Sequence, residues 1–318
     1  MATQTTANIN TGTGAVATKP AAFYDKLLLK TLRVRSFQHD RFAQMRPMPK
    51  NTGDTINFRK IGVLAPALTP LTEGVTPAGN SATVTAISAT TAQYGDYIEF
   101  SDRVDFMMVD PIIAEYTKEQ GVQAAETRDQ LVRDELHGGS NVIYANARTS
   151  RVTLAAGDKP TVDQFRKGAL LLKKNKVKKI AGRYIAFISP DTTFDLLDDP
   201  KFTKAYEIGQ NNKPLIEGEV ADVYGIKFIE VDNPKIFTGA GASGANVHSS
   251  VMIGEEAYGV TKIEGNGDVQ TLIKPLGSSG SVDPLNQRQT IGWKFNAFVA
   301  KRLKEEAIVR MEFVPSNA

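Results

Sequence analysis

The chain has 318 residues, 41% hydrophobic and 23% charged, which is material for a packed core and about two domains by the usual length prior. Its formal net charge of +3 lies too near neutrality to indicate a nucleic-acid-binding domain, and the absence of cysteine excludes disulfides and thiolate metal sites. No apolar run approaches the roughly 20 residues needed to span a bilayer, and no signal-peptide pattern opens the chain, so a soluble intracellular product is expected.

Residues 1–22 are rich in Thr, Ala, Asn and Gly. They carry too little apolar surface to offset their ordering entropy, so a flexible arm available to order on a neighbour is expected. From Phe23 to Met45 the pattern is helical, with Leu27, Leu28, Leu32 and Phe37 among basic residues, and Pro47 and Pro49 end it. Asn51-Thr52-Gly53-Asp54 is turn material, and Ile56, Phe58 and Val63 suggest a strand. Pro66 to Ser81 carries three prolines and two glycines without a regular period. A second extended run follows from Thr83 to Phe100. A two-stranded hairpin is marginal alone in water and its edges invite pairing. It either folds back on its own domain or lies as an arm across another subunit.

Asp110 to Leu136 reads as one long helix, capped by Asp110, opened by Pro111 and closed by Gly138-Gly139. At 1.5 Å per residue it would be roughly 40 Å long. Gly121, Ala124, Ala125 and Thr127 give its middle little apolar bulk, so a close approach, or a cover supplied from outside, is expected there.

Val142-Ile143-Tyr144 looks extended, and Thr161 to Val177 reads as a second helix, capped by Thr161, with Phe165, Ala169 and Leu172 at helical spacing. Lys173, Lys174, Lys176, Lys178 and Lys179 at its end complement the helix dipole; a phosphate-binding patch is the sharper alternative. Tyr184 to Ile188 has the continuous apolar character of a buried strand, and Ser189-Pro190-Asp191 opens a short helix with Phe194, Leu196 and Leu197. Strands are expected at Tyr224–Val231, Ser250–Gly254, Val269–Ile273 and Gln289–Leu303, the last around Trp293, Phe295 and Phe298. Ala307 to Phe313 alternates Ile308, Arg310 and Glu312 against Val309, Met311 and Phe313, a strand with two distinct faces.

Residues for chemistry are sparse. His39, His137 and His248 have no second ligand at metal spacing, and His137 reads as a partner of a helix C-terminus. Gly239-Ala240-Gly241-Ala242-Ser243-Gly244 matches G-x-G-x-x-G, but Val247 to Ile253 after it reads as strand, whereas pyrophosphate binding needs a helix there. Asp195, Asp198 and Asp199 read as a solvated turn before Pro200. No catalytic, cofactor-binding or metal-ligating residue is assigned, no cofactor is expected, and the chain is read as not an enzyme.

The order of features is a polar arm, a short basic helix, a long β-excursion, a long helix, an α/β region and a return strand. It resembles the α+β major capsid protein fold of tailed phages, shared with the capsid floor of herpesviruses. Thr69-Pro70-Leu71-Thr72-Glu73-Gly74-Val75-Thr76-Pro77, Tyr94-Gly95-Asp96-Tyr97-Ile98-Glu99, Ser189-Pro190-Asp191-Thr192-Thr193 and Asp283-Pro284-Leu285-Asn286-Gln287-Arg288 are similar to the N4-type phage major capsid family.

The resemblance implies an N-terminal arm and short helix at 1–50 and an extended loop (E-loop) at 51–97. It places a P-domain at 98–181 with a spine helix at 110–137, an A-domain at 182–287 and return strands at 288–318. The function implied is a major capsid protein that self-assembles through hexamers and pentamers into the icosahedral shell around double-stranded DNA. An encapsulin-type nanocompartment shell is the alternative. Expected partners are further copies of the chain, a separate scaffolding protein, a portal protein, a cement or decoration protein and non-specific contact with packaged double-stranded DNA, with no membrane. The location implied is the virion, after synthesis in the host cytoplasm. Inter-subunit contacts are expected at Arg59, Lys60, Leu71 and Glu73 on the excursion and at Ala124, Ala125 and Arg128 on the spine helix.

Overall fold

The structure, a computed structural model, describes residues 39–48, 53–62, 64–76, 79–107, 112–202, 219–263, 270–278 and 283–317. The expected arm, most of the helix expected from Phe23, Asn51, Val63, and Asp110 with Pro111 lie outside them. In chain order come β1 (Gln44–Met48), β2 (Thr55–Ile61), β3 (Val84–Thr90), β4 (Ala92–Ser101), α1 (Asp102–Met107), α2 (Ile112–His137) and β5 (Val142–Tyr144). Then follow α3 (Val162–Lys174), β6 (Tyr184–Ile188), α4 (Pro190–Leu197), β7 (Glu219–Val223), β8 (Ile226–Glu230), β9 (Lys235–Phe237) and β10 (Val247–Ile253). The chain closes with β11 (Tyr258–Ile263), β12 (Gln270–Lys274), β13 (Arg288–Phe298), β14 (Ala300–Arg302) and β15 (Ile308–Phe313).

The principal sheet has the order β5-β15-β10-β6-β8-β7, with β9 pairing the other end of the β10 edge that β6 uses. Its two faces are both covered, and the alternation along the strands decides which residues go where. On β6, Tyr184, Ala186 and Ile188 join Phe165, Ala169 and Leu172 of α3, whereas Ile185 and Phe187 join Ala124, Val132 and Leu136 of α2. That is why the run is apolar throughout and why all five residues are buried. Burying each large apolar side chain there stabilises the fold by about 1.5–3 kcal/mol.

On β15, Val309, Met311 and Phe313 face α3 while Ile308 faces α2. Arg310 and Glu312 share that second face. Glu312 is fully buried and is held by Arg151 at 2.7 and 2.8 Å and by Arg310 at 2.8 Å. The strand therefore has two different faces, and neither meets solvent broadly.

Local signals set the helix ends. The Thr161 N–H donates to Gln164 Oε1 at 3.2 Å at the start of α3, and Ser189 Oγ accepts the Thr192 N–H at 3.2 Å at the start of α4. The long helix α2 stops where the Gly138 N–H bonds the Glu135 carbonyl at 3.2 Å.

Two expectations change. Gln44 and Met45 do not end a helix: they open β1, which pairs in parallel with β11, Gln44 opposite Gly259. β1 is an edge strand in the order β1-β11-β14, where the missing N–H of Pro47 is tolerated. The extended run from Thr83 to Phe100 divides at Thr91, whose N–H and hydroxyl both bond the Asp54 carbonyl, at 2.8 and 2.9 Å. Its first half, β3, pairs with β2, and its second half, β4, pairs with β13 in the sheet β12-β13-β4.

Candidate inter-subunit surface

The β2–β3 hairpin has an anchored base and an unanchored end. Alternation turns Ile56 and Phe58 of β2 toward the body, where they pack with Ala89 and Leu303. Phe58 sits against Gly259 of β11 so closely that a Cβ at 259 would lie 2.5 Å from Phe58 Cε1. The Lys60 ammonium meets the Glu306 carboxylate of its own chain. Desolvation of Glu306 opposes the lowering of its pKa, and the Lys60 contact prevails, holding that carboxyl below its ordinary value.

Beyond this base the side chains lose their cover. Ile61, Leu64, Leu68, Leu71, Val75 and Val84 are all exposed, Leu68 at 86% and Leu71 at 77%. Glu73 is the only charged residue between Lys60 and Asp96. Of the two sequence readings, folding back on the own domain holds for the base, and the apolar end stays uncovered among the described residues.

The three-stranded sheet shows one face to α2, and among the described residues the other is open. Toward α2, Phe100, Ile291, Ile98 and Tyr116 form a small core, Gln120 donates to the Ile291 carbonyl at 2.7 Å, and Trp293 Nε1 donates to Gln123 Oε1 at 2.9 Å. On the opposite face the register lays Leu272, Gly292 and Tyr97 in one row and Lys274, Thr290 and Glu99 in the next. Gly292 and Gly95 are needed here. A Cβ at 292 would meet Tyr97 Cβ at 2.8 Å, and one at 95 would meet the Trp293 carbonyl oxygen at 2.7 Å. The result is a trough of about 460 Å³ walled by Tyr97 and Leu272 and rimmed by Lys274, Lys294, Arg288 and Glu99. Neither glycine nor the trough was among the contacts expected from sequence; paired glycines inside strand patterns were the available signal.

The lean middle of α2 is filled from within the chain at Ala124 and Arg128, two of the residues expected at subunit contacts. Ala124 is fully buried in the core with Val132, Ile185, Phe187 and Phe298. Arg128 is buried too, its Nη2 2.5 Å from Asp40 Oδ2 and its guanidinium 5.4 Å from the Phe298 ring. Next to it Asp129 accepts the His39 N–H at 2.9 Å and faces His39 Nδ1 at 2.8 Å, and the Tyr258 hydroxyl donates to the His39 carbonyl. Burial pushes the Tyr258 phenol well up. Charged and amide groups tie the middle of the helix down beside the apolar contact of Ala124. Ala125 is half-buried, and Arg59, Leu71 and Glu73 are exposed; Lys60 is already engaged by Glu306.

The histidines and aspartates have structural partners. His137 is not a charged partner of the helix end: burial drives its pKa down to about 3, against the favourable carbonyls of Arg133 at 2.8 Å and Ser249 at 3.2 Å. His248 is lowered by burial as well, and its Nδ1 faces both Ser189 Oγ at 3.3 Å and Asp191 Oδ2 at 3.6 Å. One nitrogen serving both partners is not the Ser–His–Asp relay, which needs opposite ring nitrogens. Asp195 is no solvated turn residue: it is buried and accepts the Ser316 N–H at 2.9 Å. Asp199 likewise takes the Val162 N–H at 3.0 Å. The Gly239–Gly244 loop runs from β9 through a short 3-10 turn into β10, with no helix to receive a phosphate. Among the described residues no group of three or more His, Cys, Asp or Glu is placed to hold a metal ion, and no described helix is long and apolar enough to cross a membrane.

A layered α/β body with a projecting hairpin and a long polar helix can be compared with known proteins on these features. The phage capsid protein family model matches residues 82–311. The chain belongs to the phage capsid protein family. The capsid of Ralstonia phage GP4 superimposes with a TM-score of 0.75 at 13% identity, covering 93% of this chain and 96% of that one. The capsid of cyanophage Pam1 gives 0.69 at 16% identity, covering 94% and 97%. The holo-SrpI encapsulin complex of Synechococcus elongatus gives 0.56 at 9% identity, covering 93% and 94%. A comparison with curated protein sequences finds no match. This capsid protein thus has the expected α+β capsid fold and belongs to a structural family rather than an enzyme family.

Proposed function

We propose that this capsid protein is the major shell subunit of a tailed bacteriophage of the N4-type group, sharing its fold with the herpesvirus capsid floor. It assembles through pentamers and hexamers into an icosahedral shell around double-stranded DNA. One observation carries the reading: the hairpin end exposes Leu64, Leu68, Leu71 and Val75, uncovered among the described residues. A patch of that kind marks a protein–protein contact. In a closed shell it reaches a neighbour and enlarges an obligate interface without enlarging the core.

In this reading residues 51–97 are the E-loop, 98–181 the P-domain, 182–287 the A-domain and 288–318 the return to the P-domain. β5 and β15 share a sheet with the A-domain strands, so the last three segments meet in one layered unit. Arg59, Leu71, Glu73 and Ala125 are the contact residues we retain. Scaffolding, portal and cement proteins and packaged DNA are the further partners, the virion is the location after synthesis in the host cytoplasm, and no catalysis is involved. Near-neutral charge suits a wall past which packaged DNA must slide.

Electron microscopy of the purified chain, alone and with a co-expressed scaffold, should show capsomers or closed shells. A strictly monomeric species under every assembly condition would overturn the proposal. The encapsulin superposition motivates a second reading, a nanocompartment shell, which predicts particles that package a protein cargo and no nucleic acid.

A further inference from the structure

We propose that a basic ridge running along α3 and through the turn at 180–183 is the surface on which this chain meets the phosphate backbone of double-stranded DNA. The inference rests on the shell reading above, which makes DNA the content, and specifies the face that touches it.

The charge is segregated in the sequence itself. Between Asp163 and Asp191 there are eight Lys and Arg residues and no Asp or Glu, in a chain whose total is only +3. Folding sorts them onto one side. The buried positions of α3 are Val162, Gln164, Phe165, Gly168, Ala169 and Leu172. That leaves Arg166, Lys167, Leu170, Lys173 and Lys174 exposed as one stripe. Lys173 and Lys174 repeat the positions of Arg166 and Lys167 two turns on, roughly 10 Å along the axis. Lys176, Lys179 and Arg183 continue the exposed row past the helix end. The helix dipole acts within the last turn, so it accounts for Lys173 and Lys174 and leaves the others unexplained.

The β7–β8 turn draws the two ends of the row together. The Arg166 guanidinium lies 4.8 Å from the ring centre of Tyr224, and a Cβ at the next residue, Gly225, would be 3.6 Å from Lys179 Nζ. Ile180 and Arg183 exchange backbone hydrogen bonds at 2.9 and 3.0 Å around Ala181 and Gly182, both at positive φ, so Lys179 and Arg183 flank one tight turn. Neighbouring carboxylates already have cations. Asp163, at the start of the stripe, is held by Lys201 and by Arg166 at 3.1 Å, Glu256 by Lys304 at 2.5 Å, and Glu306 by Lys60. Glu255 lies beside Lys178, its N–H donating to the Lys178 carbonyl at 2.9 Å, so Lys178 is not counted in the ridge.

The make-up of the ridge favours phosphate over a protein partner. Lysine is depleted at protein–protein interfaces, and six of the eight cations are lysines. Leu170 and Tyr224 are the large apolar side chains exposed within it. Lysine is a point charge without a fork, which suits contact with a backbone and reads no base sequence. Because the rest of the chain is net negative, the contact is confined to this ridge, and salt weakens it.

The test is the salt dependence of binding to a fluorescent duplex of about 25 base pairs, followed by anisotropy with the full unassembled chain. Two triple variants carry the same change of charge at exposed residues: Lys173→Gln with Lys174→Gln and Lys176→Gln on the ridge, and Arg46→Gln with Lys118→Gln and Lys274→Gln elsewhere. The slope of log K against log salt should shrink by about 2.7 in the ridge triple, from three lost phosphate contacts at about 0.9 each, and by less than about 0.5 in the other. Thermal melts establish that both triples fold; should the ridge triple melt early, Lys167→Gln with Lys179→Gln replaces it and should shrink the slope by about 1.8. Equal slopes in the two triples, or a parent that binds duplex without salt dependence or not at all, would overturn the ridge. The shell reading would stand, because electron microscopy judges it separately. Polyglutamate that binds the parent more tightly than the duplex does, and loses that binding in the ridge triple, would assign the ridge to an acidic protein segment and equally overturn the inference. A parent that forms no shells under any condition would overturn the shell reading instead.

Discussion

Gly259 is where the hairpin is most directly coupled to the body, and Gly259→Ala should show it. The new Cβ would lie 2.5 Å from Phe58 Cε1, 2.8 Å from Cζ and 3.1 Å from Cδ1, so the ring must leave its position. Phe58 is 2% exposed, and its displacement disturbs Ile56, Ala89 and Leu303 with it. Overpacking of this kind costs about 1–3 kcal/mol. For a chain of this length, unfolding entropy of about 2.1 cal/mol/K per residue converts 2 kcal/mol into a fall in Tm of about 3 °C. Phe58→Ala should cost more, about 3–5 kcal/mol, because it leaves a cavity at the hairpin base.

The decisive measurement is the combination. In the Phe58→Ala background the methyl added by Gly259→Ala enters vacated space, so the second substitution should be neutral or mildly stabilising. Denaturant titration of the unassembled protein should therefore give a coupling energy of at least about 1 kcal/mol. Additive costs, within about 0.5 kcal/mol, would show that ring and glycine do not compete for space and would refute the reasoning.

Ala124→Leu should lower the stability of the unassembled protein by about 1–3 kcal/mol, because the site is fully buried within one chain; a normal melt with defective assembly would instead place Ala124 at a subunit contact. His137, with its folded pKa depressed to about 3 by burial, is neutral when folded and binds a proton readily when unfolded. Its contribution is full above pH about 6.5, is lost by about 1.4 kcal/mol per unit as pH falls toward about 3, and is flat below that. Replacing His137 with Gln should flatten that part of the stability–pH curve, and an unchanged slope would contradict it. Glu312→Ala removes the carboxylate from Arg151 and Arg310 in a buried site and should destabilise by about 3–5 kcal/mol, whereas Arg166→Ala, at an exposed pair with Asp163, should stay within about 1 kcal/mol. Comparable costs in chemical denaturation would show that burial does not separate the two pairs.

What could be foreseen from sequence was whatever local chemistry determines. The proline-free stretch before Gly138, the Thr161 and Ser189 caps and the apolar run at 184–188 act within a few residues, and each produced its element. The hairpin was legible from its turn residues and β-branched strands. Long-range partnership was not. Gln44–Met48 has no strand signature and becomes a strand because β11 offers an edge. The small residues of α2 looked like a packing deficit because bulk was the only visible measure. Its middle is held by Gln120, Gln123, Arg128 and Asp129, whose partners lie 27 to 171 positions away where hydrogen-bonded. Asp195 and Asp199 misled similarly: an acidic turn and a pair of backbone staples look the same until Ser316 and Val162 are seen beside them.

The strand order has a consequence for synthesis. β15, latest of all the strands in sequence, lies between β5 and β10 in the principal sheet, and β13 lies between β12 and β4. A nascent chain that has reached β12 can complete neither sheet, because the strand that joins the halves has not left the ribosome. A product truncated before Ile308 would leave β5 and β10 with unpaired edges, a substrate for proteolysis or aggregation rather than a nearly correct building block. The topology thus acts as a proofreading step, because a chain that stops before β15 lacks the strand between β5 and β10.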